Sequence, residues 1–172
     1  MQQLATSTSQ FPLSRLVVRR PACTDVTGLA ALFAEMQSHY GRPVSEARAR
    51  EAAALACRPP AGTFDPHVLL AALDQTIVGS LVMNVTFPAF ELTRSLYIRD
   101  LYVSAAMRRH GVGQALVHAG ARLALENGYS ALEWTTDSAN AAARNMYENA
   151  GAARLERTYY RLFDEALQCA AV

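Results

Sequence analysis

The sequence predicts a mixed α+β fold in which a mainly antiparallel, twisted sheet of about six or seven strands is flanked by about four helices. Three observations lead there. β-rich runs and helical periodicities follow one another in the order β-α-α-β-β-β-α-β-α-β. The runs at 67 to 73 and 77 to 87 are separated only by Asp74-Gln75-Thr76, which reads as an antiparallel hairpin. A strand, a glycine-containing turn, a helix and another strand then follow over 96 to 136, and read as a single parallel β-α-β unit. A chain of 172 residues with 51% hydrophobic content suits one domain with a sizeable core. The reading is therefore a single domain over 1 to 172, with residues 1 to 14 as a polar, flexible tail.

Leu16-Val17-Val18-Arg19-Arg20 reads as the first strand, and Pro21 ends it because proline cannot donate to the ladder. Thr24 or Asp25 is placed to cap a helix whose apolar residues Val26, Leu29, Ala30, Leu32, Phe33 and Met36 recur at helical spacing, up to about Gly41. An alanine-rich second helix spans 45 to 57, and Arg58-Pro59-Pro60-Ala61-Gly62 forces a loop. After the hairpin, stopped by Pro88, comes the strand at 96 to 103. The helix at 113 to 127 buries Leu116, Val117, Gly120, Leu123 and Ala124, with Gly128 at its C-terminal cap. A strand at 129 to 136, a helix at 140 to 149 closed by Gly151, and a β-rich segment at 154 to 163 complete the series.

Composition narrows the chemistry. The net charge is +1, so no overall field favours nucleic acid or an anionic membrane, and function must come from local sites. All the basic residues are arginines, and the absence of lysine excludes Schiff-base catalysis and a Walker-type NTPase. Cys23, Cys57 and Cys169 are far apart, and His39, His67, His110 and His118 show no ligand spacing, so neither disulfides nor a metal site is expected. The polar N-terminus has no apolar signal core, and no apolar run reaches the length of a membrane span; the expectation is a soluble, cytoplasmic protein.

A strand leading into Arg108-Arg109-His110-Gly111-Val112-Gly113 and then a helix has the elements of an anion site. First-turn amides lack intrahelical partners and carry the positive end of the dipole, glycines admit close approach, and the arginines add charge-assisted hydrogen bonds. On its own, a Gly-x-Gly turn is also an ordinary tight connection. A Rossmann dinucleotide turn fits poorly, because Leu116 stands at the third glycine position.

Leu96-Tyr97-Ile98-Arg99-Asp100-Leu101-Tyr102-Val103, followed by Arg108-x-x-Gly111-x-Gly113-Gln114, resembles the GCN5-related N-acetyltransferase (GNAT) superfamily. A second block supports this, since the segment from Asn140 through Ala143 and Tyr147 to Gly151 is similar to the superfamily's Asn-x-x-Ala-x-x-x-Tyr-x-x-x-Gly pattern. The resemblance covers residues 96 to 152. It implies acetyl-coenzyme A as donor, with the backbone of Leu101, Tyr102 and Val103 pairing with the pantetheine arm and residues 108 to 114, Val112 included, cradling the pyrophosphate. It also implies Asn140 near pantetheine and Tyr147 beside the thioester sulfur. Seven residues apart, these two share a helix face about 10 Å apart along the axis. A phenol of pKa about 10 is protonated at neutral pH and can donate to the departing thiolate. An N-cap and a core aromatic are the plainer roles for the same pair.

The acceptor is expected to be a primary amine, on a small molecule or a protein. It arrives as an ammonium and must lose a proton before attacking. Asp100 is the candidate base, directly or through water, and an exposed strand carboxylate is its plainer role. A backbone amide of the same strand is placed to meet the oxyanion. The Tyr97 to Val103 stretch is similar to the diamine and polyamine branch, except that Arg99 replaces its usual second carboxylate and would repel a polyammonium. Glu35, Tyr40 and Glu91 are the further candidates to line the acceptor pocket with Arg99, and solvated surface residues are their plainer role. The resemblance and a candidate edge strand at 154 to 163 imply a homodimer. A non-catalytic acetyl-coenzyme A module and a Rossmann-type oxidoreductase are the alternatives.

Overall fold

The computed structural model describes residues 13–171; the expected tail, apart from Leu13 and Ser14, lies outside the described residues. The chain divides into two compact units, Met1–Ala139 and Asn140–Val172. In the first, five strands stand in the order β1-β2-β3-β4-β5: β1 (Leu16–Arg19), β2 (His67–Leu73), β3 (Thr76–Thr86), β4 (Ser95–Val103) and β5 (Leu132–Glu133). The first four are successively antiparallel, and only β4 and β5 run parallel. That is a mixed α+β sheet, with fewer strands than expected, and its single parallel pair falls short of the mostly parallel sheet a Rossmann domain requires.

Helices α1 (Val26–His39) and α2 (Glu46–Ala56) pack together through Leu29, Leu32, Phe33, Met36, Ala49 and Ala53. Ser45 caps α2 by accepting from the Arg48 amide at 3.2 Å. Asp25 does not cap α1 as anticipated. Its carboxylate turns back to receive two hydrogen bonds from Arg19, at 2.6 and 2.8 Å, and one from the Ala22 amide at 2.7 Å. The bidentate guanidinium offers it more than a cap would.

The hairpin loop is shorter than anticipated, because Leu73 pairs with Thr76 and leaves only Asp74 and Gln75 to turn. Both have positive φ, 49° and 69°, the twist a two-residue hairpin needs. Helix α3 (Val112–Glu126) lies on the sheet and buries Val112, Leu116, Val117, Gly120, Leu123 and Ala124, the expected face with one residue added. Two glycines permit the approach. A Cβ on Gly120 would sit 2.9 Å from Leu81 Cδ2, and one on Gly79 would sit 3.1 Å from the Tyr102 carbonyl, Val112 and Leu116 alike. Leu70, Leu81, Met83 and Leu96 on the sheet and Leu116 on α3 are fully buried, each worth roughly 1.5–3 kcal/mol.

Two expected strands are cut back or missing. The one at 129 to 136 is reduced to Leu132–Glu133, because the apolar pattern stops at Trp134 and Thr135, Thr136, Asp137 and Ser138 are exposed, with no face to bury. In the second unit, α4 (Ala141–Asn149) forms as anticipated, but no strand forms over 154 to 163 and an unanticipated α5 (Asp164–Cys169) follows. Tyr159 and Tyr160 are 69% and 87% exposed: β propensity without a neighbouring strand does not make one. The edge expected to pair with a second subunit is therefore not a strand. Among the described residues no helix is long and apolar enough to cross a membrane, and no cluster of three metal-ligating side chains occurs.

Candidate active site

The site is built around an irregularity in β4. Asp100 stands opposite Val82 and Ile98 opposite Met83, so Arg99 is an extra residue without a partner across the ladder. The consequence is legible in the packing. Leu96 and Ile98 face the α3 side of the sheet before the bulge, and Leu101 and Val103 face it afterwards. The parity of the strand has switched. Arg99 and Asp100, which would alternate in a regular strand, therefore both project to the α1 side, where Tyr102 joins the α1–α2 cluster.

Asp100 is half-buried, and burial raises its pKa above the ordinary carboxylate value, opposed by the charge of Arg99 and a hydrogen bond from the Leu101 backbone. Tyr40, just past the end of α1, lies within electrostatic reach of it. Although 54% of its surface is open, the phenol pKa is raised by desolvation first and then by the Asp100 charge, against the influence of Arg108. Tyr40 and Asp100, separately identified in the sequence, are thus brought together, while Arg99 stands exposed beside them.

Glu35 is also here, in a different position from the expected pocket wall. One carboxylate oxygen accepts from the Tyr102 hydroxyl at 3.0 Å and from the Ala105 amide at 2.8 Å. It ties α1 to the end of β4 and to the turn that follows. Burial and this carboxylate both raise the pKa of the Tyr102 phenol, which is 3% exposed. Glu35→Ala is expected to leave a buried hydroxyl and an amide unsatisfied, costing about 1–3 kcal/mol in urea denaturation, whereas Glu35→Gln keeps an acceptor and should cost less. Two features escaped the sequence reading. His39 packs its ring 5.9 Å from Tyr102 and 5.4 Å from Tyr40, and the Tyr102 side chain, assigned no role, anchors the group. Only the four-residue spacing from Glu35 to His39, close to one helical turn, hinted at a shared face.

The outer edge of β4 is open beyond its start. Among the described residues β5 pairs with it only at Leu96 and Tyr97, so the backbone from 98 to 103 has no strand beside it on that side. That edge runs towards the mouth of α3. Arg108 folds back so that its Nε donates to the Val103 carbonyl at 3.2 Å, and its guanidinium lies 5.5 Å from the centre of the Tyr102 ring. Arg109 is exposed with φ 66°, and Gly111 at the N-cap has φ 80° and ψ 0° with no side-chain cap. His110 Nδ1 lies 2.8 Å from the Arg108 carbonyl. The first intrahelical bond at this end, from the Ala115 amide to the Gly111 carbonyl at 3.0 Å, leaves the amides of Val112, Gly113 and Gln114 without helical acceptors. Left-handed glycine, bare helix-mouth amides and exposed arginines are the donor set that a diphosphate would take.

In the second unit, Asn140 caps α4, its side chain accepting from the Ala143 amide at 3.1 Å, and Tyr147 is half-buried two turns along. Glu91 is not brought to the Asp100 group: it is exposed in the loop before Ser95, at the end of β4 away from Val103. A separate cavity of about 250 Å³, lined by Arg20, Pro21, Cys23, Cys57, Arg58 and Val68 among others, shares none of these residues.

Known proteins resemble this chain in sequence and in fold. The acetyltransferase (GNAT) family matches residues 29–152. An L-ornithine N5-acetyltransferase of Arabidopsis thaliana is 32% identical over 96 residues, covering 55% of this chain but only 42% of that protein's length. An uncharacterised N-acetyltransferase of Bacillus subtilis is 27% identical over 134 residues, 78% of this chain and 87% of its own. Among solved structures, an integron cassette protein from the mobile metagenome of V. cholerae superimposes with a TM-score of 0.77 at 25% identity, over 91% of this chain and 98% of that one. An aminoglycoside acetyltransferase from an uncultured soil metagenomic sample, solved with sisomicin, shares the fold with a TM-score of 0.69 at 19% identity, over 88% and 98%.

Proposed function

The chain belongs to the acetyltransferase (GNAT) family, and on that premise we propose that it moves an acetyl group from acetyl-coenzyme A to a primary amine by direct attack in a ternary complex. The observation that carries this reading is the stretch of β4 from 98 to 103 whose outer edge no strand covers among the described residues, leading to the bare amides at the mouth of α3. An extended pantetheine arm bonds to such an edge as an added strand would, and a diphosphate ends on the amides of 112 to 114, with Arg109 beside it. Relatives named for ornithine and aminoglycoside acetylation point to amine acceptors.

In this reading, Asp100 takes the proton from the incoming ammonium, and its raised pKa brings it nearer the working pH of a general base. The bulge at Arg99 frees backbone from the ladder beside the acetyl position, where an amide meets the charge that develops on the carbonyl oxygen. Tyr147, assigned by the family pattern, donates its proton to the departing sulfur. A thiol of pKa about 8.5 leaves as a thiolate that needs protonation by only about 1.5 units at pH 7, so Tyr147→Phe is expected to cost about thirtyfold in kcat. The test of the reading is free-thiol release from acetyl-coenzyme A by purified protein across a panel of amines. Release that no amine stimulates above hydrolysis rules out amine acetylation, and an unchanged rate in Tyr147→Phe removes the leaving-group role.

A further inference from the structure

The β4 bulge has a second consequence, for the acceptor itself. Arg99 and Asp100 are consecutive, yet both project to the α1 side because the strand changes parity between Ile98 and Leu101. A cation and an anion on one face would ordinarily neutralise each other. These do not: no ion pair joins them, and among the described residues no carboxylate lies in ion-pair range of the Arg99 guanidinium, which is exposed. Arg99 is left as an unpaired planar fork next to the half-buried carboxylate that holds the reacting nitrogen. An arginine in that position is suited to bind a carboxylate through two parallel hydrogen bonds.

We propose that the acceptor is an amino acid, a small zwitterion whose carboxylate is held by Arg99 while its reacting amine is held by Asp100. The inference rests on the amine-acetylation reading above and narrows it. Placing the two opposite charges on one face matches both ends of such a molecule at once, and it discriminates against a diamine, whose second ammonium would meet Arg99. Lending indirect support, the Arg99 charge lowers the pKa of Asp100 against the larger effect of burial, so the two side chains share one electrostatic environment without a direct bond.

The experiment uses matched triplets with identical reacting amines: L-lysine, L-lysinamide and 1,5-diaminopentane, and the same three made one and two carbons shorter. Steady-state kinetics are measured on the wild-type protein and on Arg99→Gln and Arg99→Lys. For at least one chain length, the carboxylate form is expected to exceed its amide and its diamine by about 10- to 100-fold in kcat/KM, mainly through KM, the worth of one charged bidentate contact. Arg99→Gln should lower kcat/KM for the carboxylate at least tenfold and raise it severalfold for the diamine, and Arg99→Lys should restore part of the carboxylate preference. Opposite movements of the two substrates are not produced by a structural defect. Equal use of carboxylate and amide, or an Arg99→Gln variant in which all substrates fall together, overturns the assignment while amine acetylation stands. Donor binding with no amine of any triplet acetylated overturns the amino-acid assignment, and amine acetylation falls with it when the wider amine panel also fails to stimulate thiol release.

Discussion

Asp100→Asn is expected to lower kcat/KM for the amine acceptor about a thousandfold at pH 7. An amine of pKa near 10 is neutral in only about one molecule in a thousand at that pH, and without a base the enzyme must draw on that fraction alone. The loss should therefore shrink by nearly tenfold for each unit the assay pH is raised towards 10. A loss that stays constant with pH would mean that Asp100 shapes the site rather than accepting the proton. In the wild-type protein, activity should fall as the pH drops through the raised pKa of Asp100, because the base is then protonated.

The same substitution should stabilise the protein, and the direction follows from the shift. Burial raises the folded pKa of Asp100 above its unfolded value of about 3.9, so between the two values the native state holds a proton that the unfolded chain has released. Stability then falls as pH rises through that window, and the cost is present at neutral pH. Asp100→Asn removes it, so its Tm should exceed the wild-type value at pH 7 and the advantage should vanish below about pH 4. A variant with little activity and a higher Tm is the mark of a carboxylate held in place for function.

The second large effect is at Gly111. Its φ of 80° at the mouth of α3 is a conformation that a β-branched residue adopts only under strain, costing about 1–3 kcal/mol if kept. Relaxing it turns the amides of 112 to 114 away from a common focus. Gly111→Val is expected to raise the Kd for coenzyme A at least about 100-fold by calorimetric titration while leaving the far-ultraviolet circular dichroism near wild type. The control is Gly128→Val. Gly128 lies just beyond the other end of α3 with φ 67°, and a Cβ there would meet nothing within 4 Å, so the substitution carries similar backbone strain. It should cost comparable stability and leave coenzyme A affinity unchanged. An unaltered Kd in Gly111→Val would mean that the helix mouth is not the anion site.

Much of this site was legible before the fold was known. The glycines of 111 and 113 and the arginines of 108 and 109 declare a helix mouth fit for an anion, and the apolar spacing in α1 and α3 identified the faces these helices bury. Asp100 and Tyr40 could each be proposed from the sequence, because a carboxylate and a phenol near a strand proposed to bind the donor have evident uses. What joined them was not. Nothing in Arg99-Asp100 marks a bulge, since neither residue is a glycine and both suit a solvent-facing strand position. The sequence does not reveal the tie made by Glu35, because its two donors, Tyr102 and the Ala105 amide, come from 67 and 70 residues away. The strands anticipated at 129 to 136 and 154 to 163 show the reverse error, in which local propensity was present and the neighbour needed to express it was missing.

Residue order was enough to establish the family and the faces of the principal helices, and to propose the helix mouth as an anion site, because these depend on residue type at short, regular spacing. Folding alone settled which side of the sheet Arg99 and Asp100 occupy and how far β4 stands open. Side chains on a strand alternate with a period of two, so one unpaired residue exchanges every face beyond it, and that displacement is set by pairing across the sheet.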